Sequence, residues 1–173
     1  MCGAVATYEY STCGRSVPEP VTDYGFSLPD NVWEIPGDER PRRAIWTSDL
    51  CQFGERFFIR CLLPVPFVHR EGRFGWGVWA EVAESDFRRY VSLYDDDASG
   101  EPAVRGRMAN ALAPYPESKG LPVWVQFQTA TQRPTLTLVA DSRVRLAVDQ
   151  REGIDDARHR AVLTAMESAS ASA

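Results

Sequence analysis

Two apolar runs separated by a turn constrain the fold most strongly. Phe57-Phe58-Ile59-Arg60-Cys61-Leu62-Leu63 comes first, and Phe74-Gly75-Trp76-Gly77-Val78-Trp79-Ala80-Glu81-Val82 follows after His69-Arg70-Glu71-Gly72. Aromatic and β-branched residues suit the pleated, half-buried surface of a sheet. The polar, glycine-ended spacer suits a turn, so the two runs predict an antiparallel hairpin with a long loop. Pro64 and Pro66 are expected to end the first strand or leave it at an edge, because proline has no N–H for the ladder. Residues 121–129 and 133–139 predict a second hairpin. In it Leu121, Val123, Val125 and Phe127 alternate with Pro122, Trp124, Gln126 and Gln128. In 74–82, Gly75, Gly77 and Trp79 share one face, a sign that another backbone or ring approaches closely.

Helical signals are fewer. Ser85 suits an N-cap, and the helix it predicts runs to about Tyr94 with Phe87, Val91 and Tyr94 on one face. Asp155 predicts the cap of a closing helix, with Ile154 as a hydrophobic staple and Ala157, Ala161, Leu163 and Met166 on its apolar side. Residues 14–44 are rich in Pro, Gly and charge and keep no regular period. They are expected to be irregular, anchored by Tyr24, Phe26, Val32 and Trp33. The Ser/Ala ending is expected to fray, which gives one globular domain over 1–167 and a disordered tail over 168–173. Strands and helices do not alternate as βαβ units. The expected class is α+β: a mainly antiparallel sheet, two or three helices, an irregular Pro/Gly-rich N-terminal segment and a C-terminal helix.

The 173 residues are 44% apolar and 25% charged, which suits one domain with a proper core. A net charge of −5 argues against a general nucleic-acid binder, which needs a basic surface to displace counterions from phosphates. No run approaches the roughly 18 apolar residues of a membrane span. Residues 1–6 lack the basic and apolar regions of a secretory leader, and Cys2 stands where myristoylation needs Gly. The expectation is a cytoplasmic protein with no membrane and no nucleic-acid partner, whose Cys2, Cys13, Cys51 and Cys61 are reduced thiols.

Sites of known chemistry are incomplete. Ten residues separate Cys2 from Cys13 and nine separate Cys51 from Cys61. Neither is the close pair with which one turn grips zinc. Asp95, Asp97, Ser99 and Gly100 match the first half of a calcium loop, but Gly106 replaces its bidentate Glu, so a solvated acidic turn is expected. No Gly-x-Ser-x-Gly elbow occurs. His69 falls in a turn, and His159 sits between Arg158 and Arg160 on what reads as a solvated face. No catalytic residue, metal or cofactor is therefore assigned. Arg60 is harder to dismiss, because it shares a strand face with Phe58 and Leu62. A buried arginine needs a carboxylate partner, and Asp49 and Glu81 are the candidates. Lining a cleft, such a pair would grip an anionic ligand. Trp76 and Trp79 are added as an aromatic ligand floor, so the candidate ligand-binding residues are Asp49, Arg60, Trp76, Trp79 and Glu81.

The order of "TSDLCQFGERFFIRCLLPVPF", "FGWGVWAEVAESDFRRYVSLYDD", "PYPESKGLPVWVQF", "RPTLTL" and "LAVDQREGI" resembles the bacterial family called domain of unknown function 2199, from about Tyr10 to Met166. The family pattern opens on Cys-x-x-Cys-Gly, often with a His soon after, and carries Cys in an Asp-x-Cys position. Cys13-Gly14 and Cys51 match. Tyr10 replaces the first cysteine, Arg15, Ser16 and Val17 follow in place of the histidine, and Val144-Arg145 replaces a His-Pro. The resemblance implies a compact bacterial domain, no particular activity, and a degenerate zinc-knuckle remnant in which Tyr10 packs near Cys13. The residues favour a non-catalytic domain binding a protein or a small molecule. The alternatives are an enzyme with a carboxylate/arginine cleft and a metal-binding module built on the knuckle remnant.

Overall fold

The computed structural model describes residues 7–9, 16–18, 21–139 and 143–172. These form β1 (Thr7–Glu9), β2 (Ser16–Pro18), β3 (Asp23–Gly25), α1 (Asp30–Trp33), α2 (Arg40–Arg43), β4 (Ala44–Trp46), β5 (Leu50–Phe53), β6 (Arg56–Pro66) and β7 (Arg73–Val82). Then come α3 (Glu84–Ser92), β8 (Val104–Met108), β9 (Pro122–Gln126), β10 (Thr135–Leu138), α4 (Arg145–Glu152) and α5 (Asp156–Ala171).

The first predicted hairpin is β6–β7, paired antiparallel from Phe57 opposite Val82 to Pro66 opposite Arg73. The second is β9–β10. β8 joins them, antiparallel to both β7 and β9. β10 then meets β6 in parallel, with Thr135 opposite Leu62, and closes a five-stranded barrel. Five strands joined up and down must close with the first and last parallel, because five is odd. β3 extends the sheet from β7 in parallel, and β5 and β4 extend it from β6 antiparallel. The class is α+β. Two expectations are corrected: the described residues hold five helices rather than two or three, and the sheet curls into a barrel sealed by a parallel pair.

Ile59, Cys61, Leu63 and Val65 of β6 face inward with Phe74, Trp76, Val78 and Ala80 of β7, all fully buried. Val123, Val125, Leu136 and Leu138 complete the lining. Each Val, Leu, Ile or Phe among them contributes about 1.5–3 kcal/mol by leaving water. The outer face is covered too. Phe58 and Trp79 point out of the barrel into a second cluster with Leu28, Val32, Ile35, Ala44, Cys51 and Ala109. This is why β6 and β7 are apolar almost throughout. The segment expected to be irregular, 14–44, supplies Leu28, Val32, Ile35 and Ala44 of that cover and carries β2, β3, α1 and α2.

One buried side chain ties the cover to the barrel. Asn110 is fully buried; its Oδ1 accepts from the Trp79 N–H (2.8 Å), and its Nδ2 donates to the Leu28 carbonyl (3.0 Å) and to Asp30 (2.8 Å).

Pro64 lies within β6 and Pro66 is its last residue, on a side that no strand pairs. The N–H groups of Arg60 and Leu62 point to one side, toward Asp49 and Pro134, and alternation aims the two prolines the same way. β10 has left that side by then and α4 replaces it. Gln150 on α4 donates to the carbonyls of Pro64 (3.3 Å) and Leu136 (2.9 Å) and accepts from the Leu138 N–H (2.9 Å). A side-chain amide thus seals the seam where the strands diverge.

Three helix details differ from expectation. Ala83, not Ser85, precedes α3, and the buried position is Tyr90 while Val91 is exposed. Asp155 does cap α5, accepting from the Arg158 N–H (2.7 Å). Yet the inward face of α5 is His159, Val162 and Met166. His159 is buried, not solvated: Phe67 and Phe74 flank it at 5.0 and 5.3 Å. Its Nε2 lies 2.8 Å from the Val21 carbonyl, which can only accept, so Nε2 carries the hydrogen and Nδ1 accepts from Arg70 (3.1 Å). The helix also continues to Ala171, through residues expected to be disordered, with the Ser170 and Ser172 hydroxyls donating to carbonyls four residues back.

Candidate functional site

The register of β6 and β7 places Phe58 opposite Glu81, Arg60 opposite Trp79 and Leu62 opposite Gly77, all on the outer face. The tryptophans do not form a ligand floor. Trp76 is inside the barrel, Trp79 is in the outer cluster donating to the Phe26 carbonyl (3.1 Å), and neither ring has exposed surface. Glu81 is not the partner of Arg60 either. Arg56 grips it with two bonds (2.8 and 2.6 Å), which hold its carboxyl below the ordinary range. Arg60 and Asp49 do come together, backbone to backbone: the Arg60 N–H donates to the Asp49 carbonyl (2.9 Å). The Arg60 side chain makes only a long bond to the Ser48 carbonyl (3.4 Å), and its buried Nε has no partner among the described residues.

The glycines of β3 and β7 make this face possible. A Cβ on Gly25 would stand 2.9 Å from the Arg60 guanidinium, and one on Gly75 would collide with the Arg73 guanidinium and the Asp23 carboxylate. Arginine side chains therefore occupy the space that side chains at 25 and 75 would fill.

Beside this face opens a cleft of about 560 Å³, within the size range of small-molecule sites. Leu62, Tyr90 and Leu93 form apolar surface, and Gln128, Thr129 and Thr131 line a polar wall from the β9–β10 connection. Asp49, just before β5, organises the mouth. Its Oδ1 accepts from Arg133 Nε (2.6 Å), and its Oδ2 accepts from the Tyr94 hydroxyl (2.9 Å) and the Ser48 hydroxyl (2.7 Å). Burial pushes its carboxyl up, but these donors outweigh burial and hold it below the usual carboxylate value. The bond to Asp49, with burial adding to it, raises the Tyr94 phenol. At neutral pH the pair is thus a carboxylate and a phenol.

Arg133 and Tyr94 were not foreseen. They lie 84 and 45 residues from Asp49, and no local spacing links them. Arg73, also lining the cleft, carries only a 3.8 Å ion pair with Asp23.

Nothing described here assembles a metal site. Among the described residues no three His, Cys, Asp or Glu side chains cluster for an ion. Cys51 and Cys61 are buried free thiols, and burial pushes Cys51 up to about 11. Asp97 accepts from the Ser99 N–H and hydroxyl, a local turn. Tyr10 and Cys13, and with them the knuckle remnant, lie outside the described residues. No helix among those described is long and apolar enough to cross a membrane.

Fold and site together define an α+β domain: a five-stranded barrel with an arginine-rimmed cleft on its outer face. The chain belongs to the family described as uncharacterized protein conserved in bacteria, DUF2199, whose model matches residues 9–154. Comparison with curated proteins and with solved structures finds no match.

Proposed function

We propose that the protein is a non-catalytic binding domain whose ligand sits in the cleft between Asp49, Leu93 and the connection preceding β10. The observation that carries this reading is the engagement of Asp49. Its two oxygens are taken by three donors, Arg133, Tyr94 and Ser48, and hold the first two in place, so the carboxylate acts as a positioning residue. A general base works best with a value near the operating pH, and Asp49 is displaced the other way. A screen of small fragments by amide NMR tests the reading. Hits should shift Leu93, Thr129 and Arg133; a set of hits that all map elsewhere would overturn it.

A protein partner is the second reading, favoured by Ile45 and Trp46 on β4, the last strand of the sheet among the described residues, and by Trp33 on α1. Their exposures are 76%, 37% and 61%. An Ile45→Lys variant that leaves self-association and partner capture unchanged would dismiss it.

A further inference from the structure

Three guanidiniums share the outer face: Arg73 and Arg133 line the cleft, and Arg60 stands behind. Their carboxylates are Asp49, already accepting three hydrogen bonds, and Asp23, whose side chain is 71% exposed. The face therefore carries one more positive than negative group in a chain of net charge −5. Burial, with the neighbouring Arg133 adding to it and Asp49 opposing, lowers Arg60 from its ordinary value, though an arginine stays charged.

The donors are also unspent. Arg133 uses only its Nε, and its terminal nitrogens hydrogen-bond nothing among the described residues. Arg73 makes no hydrogen bond there, only the long ion pair. A guanidinium fork matches the two oxygens of a carboxylate or phosphate. A cation would find no such welcome, because the Asp49 oxygens are taken. The cleft far exceeds a bare ion, a water molecule occupying about 30 Å³ in the liquid, and Leu62, Tyr90 and Leu93 offer surface to an apolar body.

We propose that the cleft takes a small organic oxyanion, a carboxylate or phosphate monoester on an apolar body, held by the free forks of Arg73 and Arg133. This deepens the binding reading above and rests on it. The test is an amide NMR titration with phenyl phosphate, benzoate and neutral benzyl alcohol. Phenyl phosphate or benzoate should shift Leu93, Thr129 and Arg133 and bind at least about tenfold more tightly than the alcohol, as charge-assisted bonds require. Binding by one anion alone identifies its headgroup as the one the cleft takes, and binding by both supports the shared chemistry. Arg73→Gln, which breaks no hydrogen bond of the fold, should weaken the anion by about tenfold or more. Arg133→Lys keeps the charge and loses the fork, and should weaken it in the same direction. Alcohol binding as tight as anion binding overturns the oxyanion and leaves the cleft a ligand site. Anion binding indifferent to both substitutions also overturns it. If none of the three probes shifts a cleft residue, the binding reading falls as well.

Discussion

Asn110→Ala should loosen the joint between the barrel and its N-terminal cover. The substitution removes the acceptor of the Trp79 N–H and the donor to the Leu28 carbonyl, both in the dry outer cluster. Each buried group left unpaired costs about 1–3 kcal/mol. Asp30 loses a donor as well but keeps the Ala111 N–H (2.8 Å) and Lys119 (3.7 Å), so it adds little. The sum is about 3 kcal/mol, a large share of the 5–15 kcal/mol that holds an ordinary domain folded. Urea denaturation followed by tryptophan fluorescence should show the midpoint falling with an unchanged slope. At about 2–4 °C per kcal/mol for a chain of this size, the melting temperature should drop by about 6–12 °C. Asn110→Asp keeps an acceptor for Trp79 but sets a second carboxylate against Asp30, and should be at least as damaging. A loss below about 1 kcal/mol for the alanine variant, or a wild-type melting curve for the aspartate one, would show that Asn110 does not join the two layers.

Other expectations follow from the same contacts. Burial, with Arg70 adding to it, lowers His159 against the raising effect of the Val21 carbonyl. The unfolded chain then binds the proton more readily, so stability is full above about pH 6.5, the free histidine value, and declines as pH falls through the folded value. His159→Gln should flatten that decline in urea melts between about pH 6.5 and 5, and an unaltered slope would refute the assignment. Asp49 acts lower: its contribution is present above about pH 4 and vanishes with further acid, so Asp49→Asn should blunt only the last part of acid unfolding. In a Cys2→Ser, Cys13→Ser background, Cys51 and Cys61 should react with a thiol reagent at pH 8 only after denaturant is added. Gln150→Leu leaves the Leu138 N–H and two carbonyls unpaired and should cost about 2–4 kcal/mol, with faster hydrogen exchange at Leu138 as the local readout.

Much of the barrel could be read in advance because its strands carry strong patterns. β6 and β7 are buried on both faces, and β9 alternates cleanly, with Val123 and Val125 buried between partly exposed neighbours. β8 escaped notice because its inward side is Val104, Gly106 and Met108 between two exposed arginines, too little apolar surface to announce a strand. α4 is hidden in the sequence because its eight residues carry two arginines and two carboxylates, and the burial of Asp149 beneath Arg145, Arg158 and Tyr115 is a tertiary event. His159 misled for the same reason: arginine neighbours suggested water, whereas helix geometry turns one residue in three or four inward whatever flanks it. At the cleft, strand alternation flagged Arg60 and brought in Asp49, but the partner of Asp49 is decided by where the β9–β10 connection lands. Trp76 and Trp79 attracted attention for their rings, which the barrel and its cover consume entirely.

The glutamine at the barrel seam bears on the order in which the molecule can form. All five barrel strands precede α4 in the chain, so a ribosome delivers them before it delivers residue 150. Until then the divergent ends of the first and last strands have no amide between them, and their carbonyls can be satisfied only by solvent. A nascent chain at that stage is an unlatched cylinder with an open edge, the kind of edge on which chains misassemble. Emergence of α4 is the latch. Released chains that end just before Gln150 should therefore be captured by chaperones far longer than released chains that end just after Gly153.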